Sequence, residues 1–426
     1  SSGEVAFFRG GAVSFNEARR ARDGFSGSVF GSYRSFDAAF DESIGSDGDT
    51  LSEVTSIRSD GYHRTRTELR RSNGLDERVI GASARYGFSA GHIGVTGYDT
   101  RFSSPIQADL PHDFSGTTLQ QLSLDGRYVF GGGFYLFGEG ARGSNGTIGA
   151  IAGIGGGIDN AEFVVAARSV DAGFYTPHGV GFGESPRQQQ NERGIYVGVK
   201  VPVIPQGVLS AYFDLYRFPQ QTFSVPFPRN GADGMLQFDW AYSPRLSLSC
   251  RLKQEIKGEA LTLEDRFGRT PRTLFDKTTA SGRIEAGYSS VGGRLQLRAR
   301  FERKYVGYAA LRPSANGTLT FLDLRYRPTT TLSIGGRMVL FNSDNFDAAI
   351  SEFEQDVPGR FTNLALSGQG QRFYLIAQWE PTGWGAIAAK YGETWYRNST
   401  VISEGSLQEI RSQVNNSLTL QVDMRF

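Results

Sequence analysis

Ten charged residues in the second half of the chain recur at every second position along neighbouring segments. Such a set could act as an ion-selective surface or as a network of mutual salt bridges. Because the acids lie among the bases, we favour the salt-bridge network. The ten residues are Arg251, Lys253, Arg283, Glu285, Arg298, Arg300, Glu302, Lys304, Asp323 and Arg325.

The four histidines, His63, His92, His112 and His178, lie far apart in the sequence. None has a second His, Cys or carboxylate at the spacing that a metal site needs. Three of them fall in long polar connections, where a solvated or hydrogen-bonding role is expected. We therefore predict that the chain is not an enzyme and has no catalytic residues, no metal and no cofactor.

A further acidic cluster, Asp344, Asp347, Glu352, Glu354 and Asp356, occupies one long connection. Carboxylates at this density could hold Ca²⁺ weakly, but acidic spacing alone is poor evidence for a cation site. A solvated loop is the preferred interpretation.

The charged residues alternate with apolar ones, and this alternation indicates which elements carry them. Leu297 and Phe301 lie on one face and Arg298, Arg300 and Glu302 on the other, which is the period-two pattern of a β-strand. About 19 such segments follow one another, which is too many for one twisted open sheet. The sequence predicts an all-β, transmembrane, antiparallel outer-membrane β-barrel of about 19–20 strands, with the ten charges lining its lumen. A soluble propeller or β-solenoid is the alternative, although no internal repeat of fixed period is found.

The composition agrees with a barrel and excludes other classes. Lys and Arg total 45 and Asp and Glu total 44, so the net charge of +1 gives no overall field that would attract nucleic acid. No run of about 18 apolar residues is present, which excludes a transmembrane helix. The single cysteine, Cys250, excludes an internal disulfide framework and a multi-cysteine metal site.

Tight turns alternate along the chain with long polar connections. The turns at 131–133, 291–293 and 381–383 contain Gly or Pro, which suits a chain reversal between antiparallel strands. Outer-membrane barrels have short periplasmic turns and long extracellular loops, so the alternation predicts which side each connection lies on. The predicted long connections are residues 37–76, 103–117, 173–192, 258–276, 343–369 and 397–413.

Aromatic residues give a second indication of membrane insertion. Trp240, Trp379, Trp384 and Trp395 lie near the ends of predicted strands, and a membrane interface favours indole rings at such positions. The chain ends on Phe426 at the close of a strictly alternating segment. That segment resembles the terminal strand of outer-membrane barrels, and the resemblance implies that Phe426 is an assembly signal for the barrel assembly machinery.

The direction of the strands bears on domain organisation. If the last strand descends to the periplasm, counting back makes the first segment descend as well, whereas bacterial barrels normally have an even strand number. We therefore expect residues 1–426 to be a single transmembrane barrel domain that lacks one or more upstream strands and an N-terminal periplasmic domain.

Several segments together carry a family resemblance: residues 61–69, 190–198, 209–219 and the stretch from 341 to 374. They are similar to the barrel portion of large outer-membrane proteins often called helix-hairpin-helix or ComEA-like. The helix-hairpin-helix part of that family would lie before residue 1, and no such helical hairpin is seen in this sequence. Nucleic-acid binding is therefore not carried over to any residue of the chain.

Three functions are compatible with the sequence. The first is a pore or transport channel for an unidentified solute or polymer, and the second is a structural or accessory subunit that holds other envelope proteins. The third is a DNA-uptake role, which would act with a helix-hairpin-helix domain outside this chain. All three place the protein in the bacterial outer membrane, in contact with its lipid.

Overall fold

The structure is a computed structural model, and residues 8–20, 23–44, 50–58, 63–179, 181–184, 190–264, 267–309, 312–402, 405 and 409–424 are described. Within these residues the backbone is dominated by β-strands. The one α-helix among them, α1 (Arg66–Arg71), starts at a capping box in which Thr65 and Glu68 hydrogen-bond to each other's backbone. No helix in the described ranges is long and apolar enough to cross a membrane.

The strands have the following bounds. They are β1 (Gly10–Arg20), β2 (Asp23–Ile44), β3 (Thr50–Arg58), β4 (Leu75–Phe88), β5 (Gly91–Ile106), β6 (Gly116–Phe130), β7 (Phe134–Gly143), β8 (Ile148–Ile158), β9 (Ala161–Val170), β10 (Glu192–Ile204), β11 (Gly207–Phe218), β12 (Arg229–Ser243), β13 (Leu246–Thr262), β14 (Arg272–Ser289), β15 (Leu295–Tyr308), β16 (Arg312–Tyr326), β17 (Leu332–Ser343), β18 (Ile350–Glu354), β19 (Thr362–Leu366), β20 (Gln369–Thr382), β21 (Gly385–Tyr396) and β22 (Val414–Met424).

The main sheet of the described residues has 20 strands, and all but one of them form a continuous antiparallel wall. Each wall strand pairs with the next one along the chain, except that β2 pairs with β4 and β17 with β20. This meander confirms the predicted antiparallel β-barrel and its strand number. The alternation of apolar and polar residues is sufficient to predict this architecture, because nearly every strand of the wall pairs with strands next to it in the sequence.

The remaining strand, β3, shows that the predicted connection 37–76 is wrong in part. The first half of β2 pairs with β4 as far as Phe36 and Leu75, and the second half pairs with β3 from Asp37 onward. The hairpin therefore continues the wall beyond the barrel, and α1 leads back to β4. Strands β13 and β14 likewise stay paired as far as Thr262 and Arg272, so much of the predicted loop 258–276 is strand.

The two faces of the wall have different exposures. On β16, Phe321 and Asp323 are 2% and 9% exposed, whereas their neighbours Leu322 and Leu324 are 57% and 40% exposed. The outward face of the wall is thus apolar and uncovered, which in water would be a large exposed hydrophobic surface. Lipid is the solvent that suits this face, and the protein is an outer-membrane β-barrel.

The end of the barrel that carries the tight turns is ringed by aromatic side chains over part of its circumference. Gly132 and Gly292 have φ angles of 77° and 74° in two of these turns, a conformation that glycine adopts without strain. Neighbouring rings lie 4.8 to 6.4 Å apart between centroids. The chain of rings consists of Phe25, Tyr86, Phe88, Tyr128, Phe130, Phe134 and Phe163.

The first and last wall strands, β1 and β22, run in the same direction because each strand between them reverses the chain. Among the described residues no ladder joins β1 to β22. The upstream strand and N-terminal domain expected from the sequence stay predictions.

Candidate functional site

The feature that distinguishes the interior of this barrel is a short hairpin, β18–β19, inserted between wall strands β17 and β20. Its two strands pair from Ile350 and Leu366 to Glu354 and Thr362. Ile350 and Leu366 are both buried, and they pack against the inward-facing side chains of β16 and β17. The hairpin therefore lies inside the barrel, flat against its wall. The wall side chains in this cluster are Leu319, Phe321, Val339 and Phe341.

Glu352 ties the first half of the hairpin to two arginines of the wall. It forms ion pairs with Arg300 of β15 and with Arg337 of β17, where the Glu352 Oε1 to Arg337 Nη1 distance is 3.1 Å. The Arg337 side chain is 1% exposed and also pairs with Asp323 at 2.7 Å. Its guanidinium lies 4.2 Å from the ring centre of Phe321. Arg337 thus holds a wall carboxylate and a hairpin carboxylate at once.

Glu354 and Asp356 tie the tip of the hairpin to wall strands that follow it in the chain. Glu354 accepts a hydrogen bond from Arg372 of β20 at 2.9 Å. Lys390 of β21 lies 3.1 Å from Glu354 and 3.4 Å from Asp356. At the hairpin tip, Arg360 donates a hydrogen bond to Thr419 of β22 at 2.6 Å. The contacts of the hairpin thus extend from β15 to the last strand of the wall.

The two hairpin glutamates are affected oppositely by their surroundings. Burial raises the pKa of Glu352 above its usual value, and the nearby Arg300 and Arg337 only partly offset this. Burial also acts to raise the pKa of Glu354, but the hydrogen bond and charge of Arg372, with Lys390, hold that pKa below its usual value. The pKa of Asp356 is likewise lowered, since hydrogen bonds from Thr362 and a backbone N–H outweigh its burial. Ionised Glu354 and Asp356 are therefore the better stabilised carboxylates.

These contacts correct the expectation that the acidic connection is a solvated loop. Glu352 is 5% exposed, and the side chains of Glu354 and Asp356 are 3% and 2% exposed in their ion pairs. No group of His, Cys, Asp and Glu in the described residues could hold a metal ion. Instead, the carboxylates of Glu352, Glu354 and Asp356 bind the cationic side chains of Arg337, Arg372 and Lys390 on the wall.

The ten residues predicted to line the lumen all lie on the inward face of β13 to β16, where most of them form a ladder of ion pairs. Arg283 pairs with Glu302 at 2.6 Å, and Glu285 pairs with Arg300 at 2.6 Å. The ladder continues from Arg298, which lies 3.9 Å from Glu285 and 3.7 Å from Asp323. Lys253 pairs with Asp233, and Lys304 donates to the carbonyl of Ala349 next to the hairpin. The Nε atoms of Arg251 and Arg325 are buried without a hydrogen-bond partner among the described residues.

A second connection, between β9 and β10, also turns into the barrel in its described residues 171–179, 181–184, 190 and 191. Its Tyr175 ring stacks on Phe114 at 5.2 Å, and burial raises the pKa of Tyr175 to about 12. His178 lies 2.9 Å from Glu77 of β4, and both side chains are almost fully buried. The sequence predicted a solvated or hydrogen-bonding role for His178. The structure shows the hydrogen-bonding role, in a buried position. The interior is thus narrowed from two sides.

The remaining predicted sites are placed as follows. Trp240 lies near the tight turn after β12, and Trp379 and Trp384 flank the tight turn between β20 and β21. Trp395 lies at the opposite end of the barrel, near the end of β21. Their role at the membrane interface stays a prediction. Phe426 lies outside the described residues.

Sequence reasoning missed Arg337, Arg372 and Lys390, which hold the hairpin. It also missed the hairpin itself, although a signal was present. Glu352, Glu354 and Asp356 recur at every second position, which would place three carboxylates on one face of an extended segment. Three aligned acids beside a wall rich in inward-facing bases indicate docking.

Comparison with known proteins assigns no activity. No protein-family model and no curated protein matches the sequence, so the resemblance to helix-hairpin-helix proteins stays a prediction. Among solved structures, the chain is similar to a loop L8 deletion mutant of OmpT, an outer membrane protein of Vibrio cholerae. The identity is 12%, with 79% of this chain and 99% of that chain covered and a TM-score of 0.37.

It is also similar to the siderophore receptor PiuA from Acinetobacter baumannii, at 10% identity over 96% of this chain and 72% of that chain, with a TM-score of 0.42. A. baumannii OccAB3 matches at 12% identity over 86% of this chain and 90% of that chain, with a TM-score of 0.39. At these identities the similarity concerns the fold alone.

The prediction that the chain is not an enzyme is corrected by this comparison. The finding against it is the similarity to the OmpT chains, which at 12% and 13% identity neither assigns nor excludes an activity. The absence of a histidine-centred motif in the sequence was too weak a basis, because catalytic groups of a barrel come from strands far apart in the chain. Enzymatic activity is therefore not excluded for this protein.

Proposed function

We propose that this outer-membrane barrel is a pore or transport channel for hydrophilic solutes whose lumen is narrowed by the docked β18–β19 hairpin. The observation that carries the proposal is the position of the hairpin, inside the wall and bound across it from Arg300 to Lys390. A wall of about 19 strands encloses a space too wide for side chains to fill, so an inserted segment determines how much of it is left for solute.

The charges of the lumen support a preference among solutes. The hairpin brings three carboxylates to a wall stretch where Arg372 and Lys390 form ion pairs, among the described residues, with the hairpin alone. The docked hairpin therefore neutralises that stretch. Elsewhere Arg251 faces Arg283 across the β13–β14 pair, and Arg283 is already paired with Glu302, so the positive charge of Arg251 is left toward the lumen. Pores select among ions by the side chains that line them, so this arrangement favours anionic solutes.

Single-channel recording in planar bilayers tests the proposal. The wild-type barrel is compared with a variant in which residues 350–366 are replaced by a short Gly-Ser linker. We expect the variant to conduct more, because the lumen is wider, and to shift its reversal potential in a KCl gradient toward anion selectivity, because three carboxylates are lost.

A matched control is Ser351→Ala, since Ser351 is exposed on the hairpin face that points away from the wall. This variant should conduct like the wild type. If neither the wild type nor the hairpin replacement conducts, the pore proposal fails and the accessory-subunit function takes its place.

A further inference from the structure

The outward face of the wall carries a polar row at the loop end of β9 to β12. The row consists of Ser169, Arg193, Arg217 and Asn230, which are direct partners in the strand register. All four side chains are exposed. They lie on the lipid-facing side, because Ile195 on the same face of β10 is exposed as well.

The two arginines at the centre of this row face each other across the β10–β11 pair. Side chains at such positions have their Cβ atoms about 5 Å apart, and like charges directly opposite destabilise the pair. The row contains no carboxylate. Neither Arg193 nor Arg217 has an ion pair with another residue in the described ranges. Two adjacent guanidinium groups are thus left without a counter-charge from the described part of the chain.

The row lies at the border of the apolar band. The next outward-facing row toward the turn end consists of Ala167, Ile195, Leu215 and Ala232, and it carries no polar side chain. From Arg193 to Val203 the strand advances roughly 33 Å, which at the usual barrel tilt gives an apolar height of about 25 Å. The arginines therefore lie level with the headgroups of the outer leaflet.

In a second pair of facing arginines, on β4 and β5, the positive charges are balanced by other residues of the protein. Arg78 is the register partner of Arg101, but Arg101 pairs with Asp99 at 2.8 Å. The Arg78 guanidinium lies 5.6 Å from the ring centre of Tyr33. The contrast shows that facing arginines on this surface are elsewhere balanced by the chain itself.

We propose that Arg193 and Arg217 together bind a phosphate group of an outer-leaflet lipid. A guanidinium presents two parallel N–H donors that match phosphate oxygens, and two guanidinium groups side by side can share one phosphate. Ser169 and Asn230 place further donors at both ends of the row. The lipid-facing position makes a phosphorylated lipid the ligand, since its acyl chains can lie on the apolar rows below while its phosphate meets the arginines.

Native mass spectrometry in neutral detergent tests this assignment with bis-phosphorylated lipid A as the probe. We expect the wild type to retain the lipid at least tenfold more tightly than the double variant Arg193→Gln/Arg217→Gln. Lipid A without phosphates should bind the two proteins equally, and millimolar inorganic phosphate should not displace the lipid. Displacement by inorganic phosphate, or equal retention by the double variant, overturns the proposal.

Thermal unfolding separates the proposed site from a general loss of structure. Without lipid, the double variant should melt at or above the wild-type temperature, because a like-charge pair has been removed. Adding lipid A should raise the melting temperature of the wild type and leave that of the variant unchanged. Arg101→Gln is the matched control, since Arg101 already has Asp99 as its partner. It should retain the lipid like the wild type, and an equal loss in this control would refute a specific site.

Discussion

The two segments that enter the lumen are held by different forces. The β18–β19 hairpin is bound through Glu352, Glu354 and Asp356, each of which contacts a wall cation. The described part of the 171–191 loop combines a ring stack of Tyr175 on Phe114 with the His178–Glu77 contact and one ion pair, between Glu184 and Lys257 at 3.1 Å. The hairpin thus depends on three carboxylates, whereas the loop adds aromatic packing to its charged contacts. Ionic strength and acid should therefore act more strongly on the hairpin than on the loop.

The largest expected effect comes from Arg337→Met, which removes the cation that holds both Asp323 and Glu352. Breaking a buried ion pair by removing one partner costs about 3–5 kcal/mol. We expect a lower midpoint of urea-induced unfolding in lipid vesicles and a conductance close to that of the hairpin replacement. An unchanged conductance would show that charge does not hold the hairpin.

The next effect distinguishes the two hairpin glutamates. Glu354→Gln should destabilise docking by about 1–3 kcal/mol near neutral pH, because its charged form is the one stabilised by Arg372. Glu352→Gln should cost less, since burial disfavours the charge it removes. The same unfolding and conductance measurements apply. The reverse order of the two variants would contradict the opposite pKa shifts.

Acidification tests the same difference in the unaltered protein. The pKa of Glu354 is lowered in the folded state, so its contribution is complete above its ordinary value of 4.5 and is lost as the pH falls through the folded pKa. Glu352 has a raised pKa, and its contribution has the opposite sign: it is present at low pH and lost as the pH rises. We expect conductance to increase below about pH 4.5, and Glu354→Gln to flatten that response.

A smaller effect is expected from a substitution in the 171–191 loop. Tyr175→Leu keeps an apolar side chain but removes the ring stack on Phe114, which is worth about 0.5–1.5 kcal/mol. The loss should be the same at low and high KCl concentration, whereas the loss caused by Glu354→Gln should shrink as salt screens the charges. Equal salt dependence of the two variants would remove the distinction between the two insertions.

The smallest effect is expected from Arg298→Leu. Its side chain is 39% exposed, and its carboxylate contacts are 3.7 and 3.9 Å long. Solvent-exposed ion pairs of this kind contribute about 0–1 kcal/mol. The variant should fold with a near-normal urea midpoint, and a loss as large as that of Arg337→Met would show that the ladder acts as one unit.

The wall could be predicted from sequence because its information is local. Leu322 faces outward and Asp323 inward, and the alternation of apolar and polar residues along the same strand is enough to predict both orientations. The inserted segments could not be predicted in that way. Whether Glu352 contacts water or Arg337 depends on the curvature of a wall whose strands are distant in the chain. The composition of the segment does not decide it, because a solvated acidic loop would have the same composition as the docked hairpin. The position of Tyr175 against Phe114 has the same cause.

The order of the strands in the sequence determines when, during assembly, the hairpin can dock and narrow the lumen. Arg372, Lys390 and Thr419, which hold the tip of the hairpin, all come after it in the sequence. A nascent wall without its last three strands would offer the hairpin only half of its binding surface. Partly assembled molecules should therefore be leakier than the finished protein, and completion of the C-terminal strands would itself close the lumen to its working width.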